Sequence, residues 1–116
     1  MVVYLEQAFT DQEVDRIFRA LADSTRRDIV RRTLAGEATV SELASTYAMS
    51  FAAVQKHVAV LEGAGLVTKS PNGRERRVRG NAETIARARA LLDAYEQIWR
   101  GRVERLEALL ADDHPE

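Results

Sequence analysis

Five residues in one short stretch, Ser50, Phe51, Ala52, Gln55 and Lys56, combine hydrogen-bonding, cationic and small apolar groups on the leading end and one face of a predicted helix. Gln can pair bidentately with adenine, Lys can reach guanine or a phosphate, and Phe or Ala can touch a thymine methyl. Ser41 upstream, and Lys69, Arg74, Arg76 and Arg77 downstream, supply the hydroxyl and cations suited to a phosphate backbone. Other chemistries find no support. The Asp and Glu residues form no pair with catalytic spacing, and there is no Ser/His/Asp set or Gly-rich phosphate loop. With no Cys, thiolate zinc, iron–sulfur and disulfide chemistry are excluded, and His57 and His114 are poorly placed to share a metal. No metal and no cofactor are therefore expected, and no enzymatic activity.

The charge distribution agrees with a polyanionic partner. The formal net charge is −1, yet residues 50–80 hold six Lys and Arg against two acidic residues, a +4 island between flanks of −2 and −3. With 116 residues, 46% of them hydrophobic and 30% charged, the chain can bury one core and reads as a single domain over 1–116. The start lacks a basic signal-peptide region and no apolar run approaches 18 residues, so no membrane partner is expected and the cytoplasm is the expected location.

The elements that must position these residues follow from caps and periodicity. Thr10-Asp11-Gln12-Glu13 has the capping-box form, and Val14, Ile17, Phe18 and Leu21 make one apolar stripe of a helix ending near Ala22. Asp23 is placed to cap a second helix that Gly36 ends. Thr39-Val40 reads as a very short strand, and a short third helix runs from Ser41 to about Ala48. Ser50 caps a fourth helix, Phe51 to Ala64, whose Val54, Val58 and Leu61 face inward. Leu66–Ser70 and Glu75–Arg79 read as strands joined through the Asn-Gly signal at Asn72-Gly73. Asn81 caps a last helix reaching about Ala111, roughly 45 Å long at the standard rise. Its apolar stripe, Ile85, Ala88, Leu92, Tyr95, Trp99, Leu106, Leu109 and Leu110, is too long for so small a domain to cover, so it predicts a partner helix.

Helix, helix, short helix, turn, helix and basic hairpin is the order of a winged helix-turn-helix, mainly α with a small β wing. The helix-turn-helix spans 41–65 and the wing 66–80. The stretches IFRALADSTRRDIVRRTLAGEATVSELA and MSFAAVQKHVAVLEGAGLV closely resemble the ArsR (arsenic-repressor) family of bacterial regulators, over about residues 12–110. The resemblance implies a homodimeric transcription repressor on a double-stranded operator of dyad symmetry, with dimerisation helices at 10–22 and 81–111. Val14, Ile17, Phe18, Leu92, Tyr95, Trp99, Leu106 and Leu110 are the interface residues expected on that basis. Ser24 stands where many relatives have Pro, and Gln55 where many have Ser, so no operator sequence transfers. Family metal sensors use Cys sites or Asp/His pairs on the last helix; here Asp93-Ala94-Tyr95 interrupts the pattern with Tyr, which implies a metal-independent member.

Each residue also has a plainer role. His57 reads as a helix residue packing or hydrogen-bonding to the hairpin; Arg26, Arg27, Arg31 and Arg32 read as a solvated surface interleaved with Asp23 and Asp28. Trp99 and Tyr95 read as dimer core, with room left in this reading for an unidentified small-molecule effector beside them. Two other functions compete. A methyltransferase carrying such a domain would need a GxGxxG loop, which is absent. A winged helix that docks on protein without direct DNA readout is the alternative, and the +4 island argues against it.

Overall fold

The computed structural model describes residues 10–112. Five helices and three strands follow in the order α1 (Asp11–Leu21), α2 (Ser24–Ala35), β1 (Ala38–Thr39), α3 (Val40–Thr46), α4 (Phe51–Gly63), β2 (Val67–Asn72), β3 (Glu75–Gly80) and α5 (Ala82–Asp112). Local chemistry sets the helix starts. Thr10 Oγ1 accepts from the Glu13 amide at 3.1 Å while Glu13 accepts from the Thr10 amide at 2.8 Å, completing the expected capping box. Asp23 and Ser50 cap α2 and α4 through the amides of Arg26 and Ala53. Asn81 opens α5, accepting from the Glu83 amide and donating to Gly65 O, which ties the long helix to the end of α4.

Several boundaries differ from the sequence reading, and the third helix stops at Thr46 instead of near Ala48, because the backbone turns extended at Tyr47. The third helix begins at Val40, because Thr39 and Glu42 form a second reciprocal capping box. Ser41 therefore lies inside the first turn, and Thr39 belongs to a strand that is shifted back by one residue. That strand pairs with β3 (Ala38 with Val78, Thr39 with Arg77), so the wing is a three-stranded antiparallel sheet of order β1-β3-β2. The hairpin turn is also displaced. Asn72 pairs with Glu75, which leaves Gly73-Arg74 as the two-residue loop. Gly73 has φ 64°, as the first residue of a Gly-X hairpin turn requires.

The core gathers Ile17, Ile29, Leu43, Val54, Val58, Leu61, Leu66, Val67 and Val78 from α1 through β3. Ile17 is 1% exposed within the protomer, so the sequence assignment of Ile17 to a dimer interface is corrected: it has no surface left to meet a partner. Its neighbour Phe18 remains 39% exposed. β3 approaches α2 closely at Gly80, where a Cβ would lie 2.8 Å from the Leu34 backbone nitrogen. Only the start of α5 joins this body, through Thr84, Ala88 and Leu91. From Leu92 onward its large apolar residues other than Val103 stay open, Tyr95 at 55%, Ile98 at 69% and Trp99 at 59%. Among the described residues no helix is long and apolar enough to cross a membrane.

Candidate nucleic-acid interface

α3 and α4 are separated by the four residues Tyr47 to Ser50, the short turn a helix-turn-helix needs. Val54, Val58 and Leu61 bury the inner face of α4, which turns Phe51, Ala52, Gln55 and Lys56 to solvent. Ser50, at the leading end, is exposed although its hydroxyl oxygen serves as the cap. Beside this face lies a groove of about 260 Å³ lined by Val40, Ser41, Phe51, Gln55, Lys69, Arg74, Glu75 and Arg76. The fold thus brings six of the sequence-selected residues to one cleft between the leading half of α4 and the wing. Ala52 and Lys56 lie outside the cleft lining, on the exposed face of the same helix.

The wing cations are not equivalent. Side chains alternate along a strand, and Val78 points into the core, so Arg76 shares its face while Arg77 points the other way. Arg77 is half-buried and its charge reaches Glu42, whose carboxyl is held below its ordinary value chiefly by the Thr39 amide and in part by that arginine. The expectation that Arg77 contacts the DNA backbone alongside Arg74 and Arg76 therefore concerns a side chain that lies outside the cleft lining. Lys69 also departs from a free phosphate cation: its side chain is largely covered and Nζ lies 3.5 Å from Glu62 Oε1 near the end of α4. Arg79 pairs with Glu37 at 2.8 Å. Arg74 and Arg76 are the wing cations that face the cleft exposed.

Several side chains carry roles the sequence reading did not give them. Arg26 donates to the carbonyls of Ala20 (2.8 Å) and Arg19 (3.1 Å) at the end of α1, and its third nitrogen lies 3.3 Å from His57 Nδ1 on α4. His57 therefore finds its hydrogen-bond partner on α2. Arg27 likewise closes the Leu21 carbonyl, so these arginines are helix-end clips and not simply a solvated face. Asp28 accepts from Arg31, from Arg32 at 2.7 Å and from the Tyr47 hydroxyl at 2.6 Å, and these bonds hold its carboxyl far below the usual range, Tyr47 contributing most. The Thr39-to-Glu42 spacing is legible in sequence as a cap; the Arg26–His57 and Asp28–Tyr47 contacts join residues far apart in the chain and leave no local signal.

Among the described residues, no three His, Cys, Asp or Glu side chains gather where a metal could sit; His114 lies outside them. The arrangement offers an exposed helix face bearing an amide and an ammonium, with two flexible guanidiniums alongside. Such a surface can read base edges and hold phosphates.

The helix-turn-helix domain family matches residues 21–70. The HTH-type transcriptional regulator Rv2034 of Mycobacterium tuberculosis is 40% identical over 86 residues, 74% of this chain and 80% of that protein. The crystal structure of an ArsR family transcriptional regulator, RHA00566, superposes with a TM-score of 0.74 at 34% identity, covering 79% of this chain and 95% of that one. A solution structure from Mycobacterium bovis, the homodimeric winged helix-turn-helix DNA-binding domain of Mb0332, gives a TM-score of 0.61 at 27% identity over 74% of this chain and 80% of its own.

Proposed function

This chain belongs to the ArsR family of helix-turn-helix transcriptional regulators, and from that premise we propose that it is a homodimeric repressor acting on a dyad-symmetric operator in double-stranded DNA. The observation that carries the reading is the cleft in which Phe51 and Gln55 of α4 stand beside Arg74 and Arg76 of the wing. With α4 in the major groove, Gln55 and Lys56 meet base edges while Ser41, Arg74 and Arg76 hold the flanking backbone. Lys69 acts mainly by keeping the wing against α4 through Glu62. Two copies are required for a dyad site, and the open stripe Leu92, Tyr95, Trp99, Leu106 and Leu110 of α5, with Phe18 of α1, is the surface that a second copy covers. Val14, on the same helix as Phe18, is half-buried against the protomer's own core. The protein works where the chromosome is, in the cytoplasm, and needs no cofactor for DNA binding.

The test is selection from a randomised duplex library, followed by footprinting upstream of the protein's own gene and titration at two salt concentrations. Enrichment of an inverted repeat, with affinity falling steeply as salt rises, is the expected result. Failure to enrich any duplex, or affinity indifferent to salt, would refute DNA readout and favour a winged helix that docks on protein.

A further inference from the structure

We propose that Tyr47 is a positioning residue for DNA reading, its hydroxyl bond to Asp28 fixing the turn that delivers α4 to the groove. The inference rests on the DNA-binding reading above. α3 has only seven residues, too short to hold its place by its own hydrogen bonds, so its two ends must be fixed from outside. Its N-terminus is held by the capping box and by pairing of Thr39 with Arg77 in the sheet. Its C-terminus runs into Tyr47, where the backbone turns extended (φ −109°, ψ 149°) and the helix stops.

At that point a side chain from α2 takes over. The Tyr47 hydroxyl donates to Asp28 Oδ2 at 2.6 Å, across 19 residues of sequence, and the Arg32 guanidinium sits 5.8 Å from the ring centroid. Asp28 is itself held in this orientation by Arg31 and Arg32, which engage both of its oxygens from one helical turn further on. Tyr47 stands three residues before the α4 cap Ser50 and four before Phe51, so at most about 10 Å of extended chain separates the anchor from the cap. Rotation of the turn therefore moves Ser50 and Phe51 first. Base-edge contacts tolerate such play poorly, whereas flexible arginines at Arg74 and Arg76 can follow a phosphate. Tyr47 does not touch DNA in this account; it acts through the placement of α4.

The experiment compares full-length wild type with Tyr47→Phe and Asp28→Asn on the duplex that wild type selects from a random library and on an unrelated duplex. Tyr47→Phe retains the ring beneath Arg32 and removes only the hydroxyl, so it isolates the bond. We expect its affinity for the selected duplex to fall about fivefold, less than the full worth of a hydrogen bond to a charged group because the lost bond reaches the DNA only through the placement of α4. Affinity for the unrelated duplex and the salt slope should stay as in wild type, while amide exchange across residues 47–50 quickens. Adding Asp28→Asn to Tyr47→Phe should cost less selectivity than Asp28→Asn costs alone. Unchanged selectivity in Tyr47→Phe, with or without a lower melting temperature, overturns the proposal and leaves Tyr47 as packing only. Equal weakening on both duplexes overturns it as well. If wild type selects no duplex at all, the DNA reading itself falls, a result distinct from a variant that discriminates as well as wild type.

Discussion

The Arg26 guanidinium lies 3.3 Å from His57 Nδ1 and at the same time closes two carbonyls at the end of α1, so one side chain joins α1, α2 and α4. A planar guanidinium spreads its donors over three directions, which an ammonium on a flexible stem cannot reproduce. Arg26→Ala should lower unfolding free energy by about 2–3 kcal/mol, and Arg26→Lys should recover less than half of that. Urea denaturation of the three proteins checks this, and full recovery by Lys would mean that charge alone matters here.

Gln55 and Arg76 line one cleft but differ in what they can recognise. Gln55→Ala should cost about 1–3 kcal/mol per half-site on the selected operator and narrow the gap to random DNA. Arg76→Ala should weaken both duplexes alike and reduce the log–log salt slope by about 1 per lost contact. Arg77→Ala, on the opposite face of β3, should change the slope less than Arg76→Ala does. Mutant binding curves at several salt concentrations measure all three, and loss of discrimination on removing Arg76 alone would make the wing the sequence reader.

Trp99 is 59% exposed in the protomer, whereas Ile17 is 1% exposed. A carboxylate at Trp99 leaves the protomer's own core untouched but places an unpaired charge in the apolar seam proposed for the dimer. Trp99→Asp should therefore stay folded by circular dichroism while weakening self-association by about 3–5 kcal/mol. Ile17→Asp should instead unfold the protomer. Sedimentation that finds wild type a stable monomer at micromolar concentration would remove the dimer from the mechanism.

Burial, reinforced by donation of its hydroxyl to Asp28, pushes the Tyr47 phenol from its ordinary value of 10.0 up to about 12. The folded value lies above the unfolded one, so this contribution to stability is fully present below pH 10 and is lost as pH rises through about 12. Titration of phenolate absorbance should show one step near pH 12 in wild type that is missing from Tyr47→Phe. A wild-type titration with every tyrosine ionising near pH 10 would contradict the buried bond.

What the sequence determined by itself is whatever a few neighbouring residues decide. The caps at Thr10, Asp23, Ser50 and Asn81, the inward stripe Val54, Val58 and Leu61, and the basic hairpin all follow from side chains within one or two turns of the backbone groups they serve. The solvent-facing set on α4 was legible for the same reason, since periodicity alone separates Gln55 and Lys56 from the buried face. Tertiary structure decided which of the charges remain free. Lys69 is engaged by Glu62, Arg79 by Glu37 across 42 residues, and Arg77 is turned toward Glu42, while Arg74 and Arg76 are left to the cleft. It likewise gave Ile17 to the core and Phe18 to the surface, although both lie on one apolar stripe. A stripe wider than its neighbours can cover says only that burial occurs; whether the cover comes from the same chain or from another depends on how α1 docks against α2 and α4, and long-range contacts of that kind have no local period to betray them.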